Sequence, residues 1–133
     1  MNLDHSQVNG SISEHLAVAA FLSAGYKVYH QDHDSGASDL LVEKEGVIQR
    51  VQVKSFFVRP KAGHRQERKI ACLCGTGRVS PNRVRDLRSL IDLFCVVDAE
   101  TCTVIIFPSS VSPKTSIGLG PAKRIGQQLL PRP

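Results

Sequence analysis

Asp39, Gln52 and Lys54 are the residues whose types and spacing best suit chemistry, and Glu14 is the fourth. Val47 to Phe57 reads as a long strand, in which side chains alternate between faces. Ile48, Arg50, Gln52 and Lys54 therefore share one face, and Val47, Gln49, Val51 and Val53 the other. Asp39 opens an earlier strand running through Val42, and Glu43-Lys44-Glu45-Gly46 supplies the turn between the two. An antiparallel hairpin then brings Asp39, Gln52 and Lys54 together at one end. The Asp39 carboxylate, the Gln52 amide oxygen and the Val53 backbone carbonyl are hard oxygen donors of the kind that hold Mg²⁺ or Mn²⁺. A cation there would polarise a phosphate and acidify water, while Lys54 orients that water or offsets developing charge.

Each of these residues also has an ordinary reading. Glu14 lies on a helix expected from Ser11 to Ala24, on the face shared by Ala17, Val18 and Phe21. Packed against a sheet, that face would carry Glu14 inward to hold a metal-bound water or a second ion. Glu14 equally completes a capping box with Ser11, and the two roles can coexist. Asp39 could simply make an Asx turn, and Lys54 could be a solvated lysine, although its place after Val51 and Val53 asks for a partner. Asp32-His33-Asp34 resembles a metal cluster, but such residues are common in loops, and His15 faces away from Glu14 as a surface residue.

The elements that must position these groups follow from periodicity and punctuation. The first helix ends at Gly25 in the left-handed position, and Tyr26 to His30 reads as a strand. Gln31 to Ser38 is a polar loop, and Ile70 to Cys74 a short apolar strand. Ser80-Pro81 signals a helix to about Leu90, followed by strands at Phe94–Val97 and Thr103–Phe107. From Ser109 the chain is rich in Ser, Pro, Gly and Lys with weak periodicity, and is expected to be a loosely held extension. This order implies an α/β (α+β) fold, a central mixed β-sheet flanked by helices. The expected division is a domain over residues 1–108 and a C-terminal extension over 109–133, partly extended or packed on the domain or on a partner subunit.

With 133 residues, 41% of them hydrophobic, the chain can bury one core without disulfides or metal. Seventeen Lys and Arg against twelve Asp and Glu give a net charge of +5, which favours a polyanion such as nucleic acid as partner. The cations cluster. Arg59, Lys61, Arg65, Arg68 and Lys69 crowd a segment directly after the candidate catalytic strand, and Arg83, Arg85 and Arg88 follow on the expected second helix. They are expected to contact phosphate, although Arg83, Arg85 and Arg88 could instead pair with Asp86. The N-terminus is polar and the longest apolar stretch, Leu16 to Ala24, is too short to span a bilayer, so neither a signal peptide nor a membrane partner is expected. The cysteines, at 72, 74, 95 and 102, lack zinc-ribbon spacing. Cys72, Cys74 and Cys95 sit in apolar runs and read as buried free thiols of a cytoplasmic protein.

Taken in order, Gly10-x-x-x-Glu14, Gly25-Tyr26-x-Val28, Ser38-Asp39-Leu40 and Arg50-Val51-Gln52-Val53-Lys54 resemble the motifs of the PD-(D/E)xK nuclease superfamily. They are similar more narrowly to its group I intron-encoded homing endonuclease branch, where Gln replaces the usual acid. The likeness continues through Ile91–Val97 and Val104–Pro108. It implies a restriction-endonuclease-like core and a Mg²⁺-dependent DNA endonuclease, homing- or restriction-like, with Glu14, Asp39, Gln52 and Lys54 catalytic. A Holliday junction resolvase or DNA-repair nuclease of the same superfamily is the alternative, and a non-catalytic nucleic-acid-binding module the alternative from another class. Cutting both strands of a duplex with so small a chain implies a homodimer or higher homo-oligomer. Ser38 replaces the superfamily's Pro, a backbone preference. Gln52 removes a negative charge, which implies weaker metal affinity and greater dependence on Glu14.

Overall fold

The computed structural model describes residues 5–30, 39–60, 67–73, 75–80, 83–85 and 88–132. Helix α1 (His5–Ser23) begins earlier than the sequence implies, so Ser11 and Glu14 lie within it and do not form a capping box at its start. The Ser11 carbonyl is instead hydrogen-bonded to the ring Nδ1 of His15, 2.7 Å away, and His15 is exposed as expected. Ser13, Ala17, Ala20 and Phe21 are buried on one side of α1, the spacing of a single helical stripe. A Schellman turn ends the helix. Gly25 takes φ 90°, its N–H reaches the Leu22 carbonyl at 3.1 Å, and the Tyr26 N–H reaches that of Phe21 at 3.0 Å. The Phe21 and Tyr26 rings meet edge to face with centroids 5.1 Å apart, fixing the exit into the sheet.

Strands β1 (Lys27–His30), β2 (Leu40–Lys44) and β3 (Val47–Pro60) form an antiparallel meander. Glu45 and Gly46 both have positive φ, 52° and 80°, so the β2–β3 connection is a two-residue turn that matches strand twist. β4 (Glu67–Cys72) returns antiparallel along the far half of β3, so the basic segment is in part a two-stranded ribbon. β5 (Gly75–Ser80) and β6 (Arg83–Arg85) pair in a small separate sheet, so the second helix expected from Ser80 is not formed at 83–85.

β7 (Leu93–Asp98) pairs parallel with β3, and β8 (Thr103–Pro108) pairs antiparallel with β7. Nearly every residue of these two strands is buried, as expected of a strand covered on both faces. The segment after Ser109 packs on the domain and is not loosely held. β9 (Ser116–Gly118) pairs with β4, and helix α2 (Leu119–Ile125) leads into β10 (Gln127–Leu130), which pairs with β8. Among the described residues the mixed sheet has eight strands in the order β1-β2-β3-β7-β8-β10, with β4 attached through β3 and β9 through β4.

Each face carries its own core. Ala17, Ala20 and Phe21 of α1 lie over Leu40, Val42, Val51, Cys95 and Val97. Ala122 of α2 lies with Phe56, Phe94, Val96, Ile105 and Phe107 on the other face. This is the α+β, restriction-endonuclease-like arrangement that the sequence implied.

Candidate active site

The site forms where β3 loses a neighbour. Its pairing with β2 ends at Val51 and its pairing with β4 begins at Phe56. From Gln52 to Ser55 its strand partner among the described residues is β7 alone. Asp39 stands at this gap, immediately before β2, and its N–H continues the ladder to the Val51 carbonyl at 2.8 Å. Its carboxylate turns back onto β3, where Oδ2 accepts from the Gln52 amide nitrogen at 2.8 Å and from the Val53 N–H at 3.0 Å. Two donors on one oxygen fix the carboxylate's direction, and both interactions are charge-assisted.

Strand parity explains why these groups meet. Leu40, Val42 and Val51 face α1, with Val53 packed against the same core, so Asp39, Gln52 and Lys54 take the opposite face. Lys54 is half-buried one pleat beyond Gln52. Within an extended strand the N–H and C=O of one residue point the same way, so the Val53 carbonyl also points toward the Asp39 side.

Glu14 arrives from the other face. It is half-buried on α1 and lines a groove with His15, Val18, Leu22 and His30. His30 pairs with Leu40, the residue after Asp39, so Glu14 stands at the same end of the β1–β2–β3 ribbon as the carboxylate. Next to it in the chain, Ser13 has its hydroxyl 2.6 Å from that of Ser55, which ties α1 to β3 one residue beyond Lys54. The structure thus joins Asp39, Gln52 and Val53 by direct contact and sets Lys54 beside them. Glu14 stands near without a bond to them among the described residues.

Two features were not legible in the sequence. One is the Ser13–Ser55 contact, which is 42 residues apart in the chain and has no local signature. The other is Asp92, which accepts from the Arg50 N–H at 2.7 Å, Arg50 Nε at 3.1 Å and Arg50 Nη2 at 3.3 Å. These bonds hold the Asp92 carboxyl below the usual carboxylate range and raise the Arg50 guanidinium. They pin the register of β3 against β7 two residues before Gln52. Arg50 shares the site's face, yet its charge is taken by Asp92.

The donor set fits a hard dication. Asp39 supplies an oriented carboxylate, the Val53 carbonyl faces the open edge, and Glu14 is a second acid within the same end of the ribbon. Gln52 presents its nitrogen to Asp39, so its amide steadies the carboxylate, and turning the amide about its last torsion would offer the oxygen instead. Among the described residues no group of three His, Cys, Asp or Glu is arranged to cage an ion. Such a sparse set would leave most of an ion's coordination to water and to phosphate oxygens. Cys95, across from Val53, is fully buried; burial pushes its thiol far up and the Asp39 carboxylate adds to the shift, so no soft thiolate is presented. Cys72 and Cys102 are exposed, contrary to the expectation for Cys72, because Ala71 and Leu73 on either side of it take the buried positions.

Of the expected phosphate contacts, Lys69 is half-buried and held by Asp98 at 2.8 Å and Glu100 at 3.2 Å. Arg59 and Arg68 face each other in the β3–β4 register, and Arg83 and Arg85 lie on β6, with their side chains outside the described residues. Lys61, Arg65 and the Asp32-His33-Asp34 segment also lie outside the described residues.

The PD-(D/E)XK endonuclease family model matches residues 4–129, beyond the reach of the motifs recognised in the sequence. Among solved structures the chain is similar to a bacterial homing endonuclease, I-Ssp6803I, with a TM-score of 0.66 and 24% identity over 88% of this chain and 76% of that one. No curated protein sequence matches the chain. On the extent of the family match, this chain belongs to the PD-(D/E)XK endonucleases.

Proposed function

We propose that this nuclease is a metal-dependent DNA endonuclease that hydrolyses phosphodiester bonds at the open edge of β3. The observation that carries the proposal is the Asp39 carboxylate oriented by Gln52 and the Val53 N–H where β3 has lost its neighbour. Asp39, the Val53 carbonyl, Gln52 and Glu14 would hold Mg²⁺ or Mn²⁺, and the ion would supply charge for the scissile phosphate and activation of water. Lys54, on the same face, orients the attacking water and offsets charge on the phosphate oxygens. The ribbon of β3 and β4 is read as the DNA-contacting arm. The reading is supported by the ribbon's basic composition, with Arg59, Arg68 and Lys69 all on β3 and β4. The similar solved structure is of a homing endonuclease, and a homing- or restriction-like role is the finer reading. With it go a homodimer or higher homo-oligomer and an intracellular, DNA-associated location.

A non-catalytic nucleic-acid-binding module is the second reading, suited by Gln52, a neutral amide that donates to Asp39 where an acid would add a metal-holding charge. Supercoiled plasmid incubated with the protein and Mg²⁺ or Mn²⁺, beside Asp39→Ala, separates the two. Nicking that falls by roughly a hundredfold or more in a folded Asp39→Ala protein supports the enzyme. Binding without cleavage on plasmids carrying the natural target region favours the module.

A further inference from the structure

We propose that the Lys69–Asp98 ion pair is a clamp that fixes the direction of the β3–β4 arm relative to the cutting edge of β3. The inference rests on the reading of this arm as the DNA contact, and it gives Lys69 a positioning role in place of a phosphate contact.

β4 is held in two different ways along its length. Ile70 and Ala71 pair with β3 on one side and β9 on the other, and Cys72 also pairs with β9, so this part of β4 is the middle of a three-stranded stretch. Beyond them, Lys69, Arg68 and Glu67 pair only with Val58, Arg59 and Pro60 of β3 among the described residues. Past Lys69 the arm is therefore a two-stranded ribbon, and such a ribbon has little stability or fixed direction by itself. A groove lies beside it, lined by Asn9 and Ile12 of α1 and by Phe57 and Val58 of β3, so α1 does not close over the ribbon there.

Lys69 sits at the boundary. Its ammonium reaches back to the β7–β8 turn, donating to Asp98 Oδ2 at 2.8 Å, with Glu100 at 3.2 Å. Asp98 is 3% exposed and ends a strand from the middle of the sheet, so it is a fixed post. Thr101 Oγ1 donates to the same oxygen at 2.7 Å and lies 2.7 Å from Thr103 Oγ1, which completes the network on the turn. Burial pushes the Asp98 carboxyl up, but the bonds from Lys69 and Thr101 outweigh it and hold the carboxyl below its ordinary value. The pair links the base of the arm to the strand that also backs Gln52 to Ser55, so one rigid path joins the arm to the site.

The test compares wild type, Asp98→Asn, Lys69→Arg and the double variant Lys69→Met/Asp98→Leu. The double variant removes both charges and leaves no buried ion unpaired, so it serves should Asp98→Asn fail to fold. Amide hydrogen exchange is read first, because it needs no enzymatic activity. Loss of the clamp should speed exchange at those amides of the Val58–Lys69 and Arg59–Arg68 pairs that bond across the ribbon by roughly tenfold or more, the effect of losing a hydrogen bond to a charged group. β7 and β8 should be unchanged, and Lys69→Arg should behave as wild type. Equal protection of the arm in all four proteins overturns the clamp.

Duplex binding and single-turnover cleavage are read next, across a salt series. A positioning role predicts weaker binding or slower cutting in Asp98→Asn with the salt slope unchanged. A slope that changes by about one unit on Lys69→Met/Asp98→Leu would mean that Lys69 is itself a phosphate contact, and overturns the proposal. Loosened arm amides with binding and cutting both unaltered overturn it as well. Failure of wild type to bind or cut DNA would instead count against the nuclease reading, and is distinguishable because the exchange result stands by itself.

Discussion

Restoring an acid at position 52 is the perturbation that interrogates the site most directly. In the native chain the Gln52 nitrogen donates to Asp39 Oδ2 at 2.8 Å. Gln52→Glu replaces that donor with a second carboxylate in the same place. A hydrogen bond to a charged group contributes roughly 1.5–3 kcal/mol, and Asp39 is partly exposed, so the lower end applies. Two charges about 4 Å apart repel by about 4 kcal/mol at an effective dielectric of 20; solvent screening and side-chain rotation cut this to roughly 1–2 kcal/mol. The variant should therefore lose about 3 kcal/mol of stability in chelator near pH 7.5, a fall of roughly 10 °C in Tm for a chain of this size. The deficit should shrink as pH drops toward 5, where the two carboxyls share a proton. Mg²⁺ should reverse the order, binding the variant at least about tenfold more tightly than wild type and stabilising it by mass action. Differential scanning calorimetry with and without Mg²⁺, and titration calorimetry of both proteins, measure these quantities. Equal stability in chelator together with equal Mg²⁺ affinity would refute the account of Gln52 as a neutral substitute at a metal-holding position.

The acid limb of stability should follow the two paired carboxyls. Asp98 and Asp92 are both held below the ordinary range in the folded chain, so their contributions are complete above the unfolded value of about 4 and are lost as pH falls through the folded values. Lys69 and Arg50 are raised, so their contributions persist through neutral pH and fade only in strong alkali. Urea midpoints from pH 2 to 7 should fall below about pH 4, and a flat profile there contradicts the assignment. Among the described cysteines, a thiol reagent should modify Cys72 and Cys102 in the native protein and Cys95 only on unfolding, read by peptide mass; labelling of native Cys95 at the exposed rate would count against its burial. Gly126→Ala should cost roughly 1–3 kcal/mol, because a Cβ there would lie 2.6 Å from Ile105 Cγ2 and 2.7 Å from the Ile106 carbonyl. An unchanged denaturation midpoint would show that β10 is not seated on β8 as described.

Much of the site was legible because it is built from strand parity and one tight turn. Alternation put Gln52 and Lys54 on one face, the hairpin brought Asp39 to their end, and the turn at Glu45-Gly46 sets the register that brings Asp39 and Gln52 into contact. Glu14 was harder, since a helical stripe names the face and not the neighbour. The structure sets it at the Asp39 end of the ribbon, in a groove that it lines with His15 and His30. The capping signal at Ser11 misled because the chain before it stays helical, and local capping chemistry yields to a helix that extends through it. Ser80-Pro81 misled in the same way, the chain at 83–85 pairing as a strand with β5. The tail lacked periodicity because β9, α2 and β10 are each too short to show one, at three, seven and four residues. Their partners, β4 and β8, supply the order. Arg50–Asp92 and Lys69–Asp98 join residues 42 and 29 apart, which no spacing rule reaches.

A single continuous backbone, β3, borders β2, then β7, then β4. Its pleat therefore cannot be re-phased in one stretch without inverting the next. Inserting or deleting one residue near Ser55 would turn the distal ribbon upside down while leaving the proximal hairpin intact, so the ribbon and the Asp39–Gln52 edge are mechanically geared to each other. Variation along β3 is thereby channelled into substitutions that keep strand length constant.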